Sequence, residues 1–186
     1  MKKLHITYLT LLFTTLTFAC SCDYGGNFIN SSYFSPIVIK GKVVKMFYHF
    51  VDGKRINSKN QKEFTSYLIK DNQDYFESIQ VEIIELIKGI ENRRTIEIYG
   101  SDGADCRAGV NDFEIGKIFI FSLNYTTDSF SEIPNEKDND FILRGCSETW
   151  LEFIPKSNEV HGQIKGKSHR RKSRNYSYDK LIQKIT

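Results

Sequence analysis

Two of the four cysteines in this 186-residue chain, Cys20 and Cys22, are separated by a single serine, while Cys106 and Cys146 lie far downstream. No other feature restricts the fold as strongly. A bridge between Cys20 and Cys22 would close a very small, strained ring, so both are expected to reach the distant pair, in either of two connectivities. Each such bridge closes a loop on the order of a hundred residues, nominally worth about 4–5 kcal/mol as an upper figure. The fold must then bring the segment Cys20-Ser21-Cys22 against two remote parts of the chain.

The residues before Cys20 read as a secretory leader, residues 1–19. Lys2 and Lys3 form a positive start, Ile6 to Phe18 carries no charge, and Thr17-Phe18-Ala19 is an acceptable cleavage site. The apolar run is too short to span a bilayer. Cleavage after Ala19 leaves about 167 residues beginning with Cys20 and its free α-amine, in an oxidising compartment where disulfides persist. A cysteine at this place is also where bacterial lipoproteins are cut and acylated. Thr17 and Phe18 match that signal poorly, and lipidation of Cys20 would leave an odd number of cysteines. The expected location is secreted, periplasmic or cell-surface, with an outer-membrane lipid anchor as the alternative.

Charge divides the remaining chain. Cys20 to Val160 holds 16 Lys and Arg against 22 Asp and Glu; His161 to Thr186 holds 8 against 1. An acidic body is followed by a basic tail. In the body, Cys20–Ser35 reads as a loop or short helix anchored by Phe28, Tyr33 and Phe34. Ile37–Phe50 is rich in β-branched and aromatic residues, and Gly41 in its middle predicts a bulge or sharp bend. Ser78–Ile87 alternates through Ile79, Val81 and Ile83 before shifting phase, and predicts a strand ended by Lys88-Gly89. Thr95–Tyr99 and Lys117–Leu123 read as strands. Gly100–Gly109 reads as a tight loop around Cys106 and Asn124–Asp140 as a long acidic loop. Phe141–Phe153 carries Cys146 and the only tryptophan, Trp150. Val51–Glu77 is polar, with a short strand or helix near Phe64–Lys70. Tyr178, Leu181, Ile182 and Ile185 predict a terminal helix packed on the body. The pattern predicts a fold dominated by β-strands, a barrel or sandwich.

The order of these motifs resembles the netrin-like domain of the tissue inhibitors of metalloproteinases. Cys20-Ser21-Cys22 directly follows the leader. Ser35-Pro36-Ile37-Val38-Ile39-Lys40-Gly41-Lys42-Val43-Val44 is similar to that family's first strand, and Ile87-Lys88-Gly89 to the end of its second. Tyr99–Cys106 is similar to its loop carrying a cysteine to the chain start, and a final cysteine follows an aromatic strand. The resemblance covers residues 20–153 and leaves 154–186 as a basic tail with a terminal helix. It implies a five-stranded oligonucleotide/oligosaccharide-binding (OB) barrel with a short N-terminal helix or loop and a C-terminal helix. It also implies the bridges Cys20–Cys106 and Cys22–Cys146. The third disulfide and the cysteine-rich second part of the animal inhibitors are missing.

The resemblance implies an inhibitor rather than an enzyme, with a zinc metalloprotease as partner. Cys20 would ligate the partner's zinc through its α-amine and carbonyl oxygen, at the open position of a catalytic zinc. Ser21 would enter the specificity pocket. Ala104, Asp105, Cys106 and Arg107 would form the second edge of an inhibitory ridge with Cys20, Ser21 and Cys22. No cofactor and no metal of the chain's own are expected, and the chain is expected to be a monomer. His49, His161 and His169 lack metal-ligand spacing, and no hydrolase or phosphate-loop motif occurs. The basic stretch Lys165, Lys167, Arg170, Arg171, Lys172 and Arg174 suits an anionic surface or a glycan, or else is solvated chain before the helix. Export argues against nucleic acid there. The alternative function is a lipid-anchored surface module that binds a protein or a glycan.

Overall fold

The structure is a computed structural model that describes residues 24–71, 74–101, 106–129, 132–165 and 173–186. The described residues are dominated by one mixed sheet of nine strands, with three helices. The strands are β1 (Ile37–Phe50), β2 (Arg55–Asn57), β3 (Tyr75–Lys88), β4 (Thr95–Tyr99) and β5 (Ile118–Tyr125), then β6 (Phe141–Ile142), β7 (Trp150–Ile154), β8 (Glu159–Gly162) and β9 (Arg174–Ser177). The helices are α1 (Phe28–Phe34), α2 (Gln61–Asp71) and α3 (Tyr178–Ile185), and a 3₁₀ turn spans Thr126–Asp128. Among the described residues, no helix is long and apolar enough to cross a membrane.

Strand order is β2-β1-β3-β4-β6-β5-β7-β8-β9, and β1 also pairs with β5. The pairings β1–β3, β3–β4, β4–β6, β6–β5 and β5–β1 therefore run in a ring. All are antiparallel except β4–β6. Closure is partial, because β6 contributes only Phe141 and Ile142. Beyond β7, β8 and β9 continue the same sheet, with β8 bonded to β7 and β9 to β8.

The irregularity expected at Gly41 is present as a register shift, with the extra residue on β3 rather than on β1. The β1–β3 register shifts between Lys40 and Gly41, where Gly41 faces Ile83 and Lys40 faces Glu85, so Ile84 is the extra residue. This bulge is the phase change visible in the sequence after Ile83. A Cβ on Gly41 would lie 2.3 Å from Val81 Cγ1 and 3.4 Å from the Glu82 carbonyl oxygen. Gly41→Ala should therefore cost about 1–3 kcal/mol through overpacking, read as a lower denaturant midpoint at unchanged slope.

Strand β5 is buried on both faces, because both are covered. Phe119, Phe121 and Leu123 join Ile37, Ile39, Val81 and Ile98 in the core inside the ring. Ile120 and Val38 point the other way, into a second core built with Phe28 of α1, Leu151, Val160 and Leu181 of α3. Helix α3 thus packs on the body as its spacing predicts. Ser177 caps it by accepting from the Lys180 N–H.

Several local expectations are corrected. Phe28 anchors α1, but Tyr33 and Phe34 are 76% and 71% exposed. The acidic loop starts two residues later than expected, since β5 runs to Tyr125. The region Phe141–Phe153 is two strands, because the chain leaves the sheet between Ile142 and Trp150. In segment 51–77 the expected element at Phe64–Lys70 is a helix, α2, longer than expected at eleven residues and fastened by aromatic contacts such as the Tyr48–Phe64 stack at 4.0 Å, while the strand β2 was not expected.

Candidate functional site

Where the chain leaves the sheet between β6 and β7, it meets two other segments. On one side lies the Cys106 loop. The Ala108 N–H donates to the Leu143 carbonyl and the Gly145 N–H to the Cys106 carbonyl, both at 2.7 Å, while Arg107 and Arg144 form an antiparallel bridge. On the other side lies the start of the described chain. The Gly25 N–H donates to the Cys146 carbonyl at 2.7 Å, the Glu148 N–H donates to the Gly26 carbonyl at 3.0 Å, and Gly26 and Ser147 form a parallel bridge. Residues 143–148 are the middle rung of a small three-segment sheet. Glycine at position 145 permits it, since a Cβ there would lie 2.8 Å from the Arg107 carbonyl oxygen.

Cys106 and Cys146 are both disulfide-bonded, and no described cysteine is a free thiol. Cys20, Ser21, Cys22, Ala104 and Asp105 lie outside the described residues, and with them the pairings Cys20–Cys106 and Cys22–Cys146. The structure does bring together what adjoins them: Gly25 three residues after Cys22, Cys106 with Arg107, and Cys146.

Arg107 joins this edge through its backbone. Its side chain, 1% exposed, turns inward, with Nη1 2.6 Å from Glu136 Oε1, Nη2 3.2 Å from Oε2 and Nε donating to Ser129 Oγ. Glu136 Oε2 also accepts from the Ile133 N–H. Sequence reading missed Glu136, an acidic residue in an acidic loop, because the pairing depends on a contact 29 residues away.

A second buried polar cluster was also missed. His49 is fully buried on β1, with Nε2 2.8 Å from Ser78 Oγ and 3.4 Å from Glu97 Oε1. Ser78 donates to Glu97, so it accepts from His49 Nε2–H, and Nδ1 is left to accept from the Asn135 side-chain amide at 3.3 Å. Ser78 and Glu97 thus meet the same ring nitrogen, and the serine gives its proton to the carboxylate. That differs from a catalytic triad, in which the serine and the acid occupy opposite nitrogens. Glu97 also pairs with Arg55 at 2.6 Å, and the Tyr99 hydroxyl donates to the Asn135 carbonyl. The cluster therefore ties β1, β2, β3 and β4 to the loop whose next residue, Glu136, holds Arg107.

Burial pushes the Glu97 carboxyl up, but hydrogen bonds from His49 and Ser78 and the Arg55 charge outweigh it, leaving it below the ordinary range. A lowered carboxylate contributes stability in full above its unfolded-state value and loses it as pH falls through the folded value. Glu97→Gln should therefore destabilise most near neutral pH. The gap from the parent should narrow towards about pH 3 in denaturant titrations across that range.

Of the basic stretch, the structure describes Lys165 and Arg174, both exposed. Lys165 Nζ lies 5.6 Å from the Tyr176 ring. Lys167, Arg170, Arg171 and Lys172 lie outside the described residues; the strands flanking them, β8 and β9, pair with each other. No group of three or more His, Cys, Asp or Glu among the described residues is placed to hold a metal. Comparison with protein-family models and with curated protein sequences gives no match.

Proposed function

We propose that this chain is a secreted, netrin-like inhibitor of a zinc metalloprotease, built on an OB-type barrel and acting through the free N-terminus of Cys20. The observation that carries the reading is the three-segment sheet. The chain just after Cys22 is hydrogen-bonded to Cys146, whose neighbour Gly145 is bonded to Cys106. Both cysteines at that junction are disulfide-bonded. A chain start tied down in this way is pre-organised, which lowers the ordering cost of binding. The ring of pairings, with β4–β6 its one parallel contact, supports the OB topology.

In this reading the α-amine and carbonyl oxygen of Cys20 ligate the protease zinc and displace its water. Ser21 enters the specificity pocket, and residues 104–107 form the second edge. The amine must be neutral to coordinate. An α-amine titrates at about 7.7–8, so inhibition weakens as pH falls below that value.

Intact mass of the exported protein, with and without reduction, is the first test. A chain starting at Cys20 that gains the hydrogens of two disulfides keeps the reading. One added residue before Cys20, or acetylation of its amine, should then abolish inhibition in a metalloprotease panel without moving the thermal midpoint. A mass carrying acyl chains overturns the mechanism, because an acylated amine has no basic lone pair and a thioether sulfur cannot form a disulfide. The chain is then a lipid-anchored surface module.

A further inference from the structure

Beside the three-segment sheet lies a small cavity of about 110 Å³, lined by Gly25, Ser31, Phe34, Ser35, Asn124, Arg144, Ser147 and Thr149. The hydroxyls of Ser31, Ser35, Ser147 and Thr149 and the Asn124 amide stand among apolar wall atoms, and no acidic residue among the described residues lines it. Arg144 at this cavity is exposed, and its side chain has no ion pair or hydrogen bond among the described residues. The opposite wall belongs to α1. Phe34 lines the cavity, and its ring stands edge-on to Tyr33 with centroids 5.1 Å apart. Both rings are largely exposed although the helix carrying them is packed through Phe28. Lys88 Nζ donates to the Ser32 and Tyr33 carbonyls at 2.8 and 2.7 Å, so a second cation is fixed at the end of the same helix.

We propose that Arg144, the cavity it flanks, and the Tyr33–Phe34 pair form a docking surface for an extended segment of a partner protein that carries a carboxylate beside an apolar side chain. Three observations choose this occupant. Arg144 sets a cation beside the cavity on a body where 22 Asp and Glu outnumber 16 Lys and Arg, so the patch complements an anion and repels the same patch on a second copy. A guanidinium with no ion pair or hydrogen bond among the described residues is suited to a carboxylate, and the Ser147 hydroxyl at the cavity supplies a further donor. The cavity, about 110 Å³, has room for a carboxylate but is too small for a lipid acyl chain, which suits an acidic side chain. The exposed rings then cover the neighbouring apolar side chain, as aromatic and arginine residues do at the centre of protein interfaces.

The surface does not use the Cys20 amine, so it stands or falls separately from the zinc reading. The test is an amide and arginine side-chain NMR titration of the ¹⁵N-labelled mature protein with N-acetyl-Asp-Leu-amide and its N-acetyl-Asn-Leu-amide counterpart. The aspartyl probe should give saturable shifts at Arg144 Nε–H and at the Gly25, Ser147 and Thr149 amides. Binding should weaken about tenfold or more with the asparaginyl probe and in Arg144→Gln. Tyr33→Ser with Phe34→Ser should weaken it while leaving the remaining spectrum in place. Acetylation of the Cys20 amine should change nothing. Equal response to both probes, undiminished binding in Arg144→Gln, or no saturable shift would overturn the proposal. So would a patch that responds only to anionic phospholipid vesicles or only to rising protein concentration.

Discussion

Replacing Glu136 with alanine should cost about 3–5 kcal/mol, the usual penalty for leaving one member of a buried ion pair without its partner. Arg107 and Glu136 have side chains only 1% and 7% exposed. Removing the carboxylate strands the Arg107 guanidinium in a site that water barely reaches. It also takes away the acceptor of the Ile133 N–H. Equilibrium unfolding in urea reads the loss. A double replacement, Arg107→Met with Glu136→Leu, should recover most of it, because a well-packed apolar pair avoids the desolvation of two charges. A similar loss in the single and double variants would show that the pair does not act as a unit. The consequence for function follows from position. Arg107 neighbours Cys106, so in the single variant the Cys106 edge of the proposed ridge should loosen, giving faster amide hydrogen exchange at Arg107 and Ala108 before global unfolding.

Leu181→Ala should cost about 2–5 kcal/mol, the range for emptying a fully buried leucine site. Leu181 is 0% exposed and packs in the second core with Phe28, Val38, Ile120 and Leu151. That core also receives Lys40, whose Nζ lies 3.9 Å from the Phe153 ring and 4.3 Å from the Tyr178 ring. The Tyr178 hydroxyl donates to Glu85 of β3. Burial, then the Glu85 hydrogen bond, raises the Tyr178 phenol well above its ordinary value. The terminal helix is therefore part of the cooperative unit, and thermal unfolding of the variant should show one transition at a lower midpoint. A separate early transition with the main midpoint unchanged would show instead that α3 is an appendage.

The two buried polar clusters share a loop. Asn135 contacts His49 and accepts from Tyr99, while Glu136 holds Arg107. Asn135 adopts a left-handed backbone, φ 70°, which asparagine tolerates better than most residues. One short segment thus connects the inner end of β1 to the backbone beside Cys106.

Much of this architecture was readable because local patterns carry it. Period-two alternation marks Thr95–Tyr99 and the first half of β3, and glycine marks the register shift along β1. A continuous apolar run marks β5, and helical spacing marks α3. In each case the hydrophobic effect acts on residues a few positions apart, so the pattern survives without knowledge of the partner. Other elements lacked such a signal. Strand β6 is two residues long, and β2 and β9 are short and largely polar, so their strand character comes from pairing. Tyr33 and Phe34 have the composition of core residues, but Phe28 takes the buried face of their helix and leaves them outside.

The amino-acid sequence by itself determined a β-dominated body with a terminal helix and a first strand whose register breaks at Gly41. Tertiary structure alone decided that residues 143–148 leave the sheet and lie between Gly25–Gly26 and Cys106–Ala108. It also decided that Arg107 turns inward to Glu136 while Arg144 stays outside. The physical reason is that a charge or a backbone hydrogen bond has no preferred partner along the chain. Its pairing is chosen by which groups folding brings within about 3 Å and which it leaves in water.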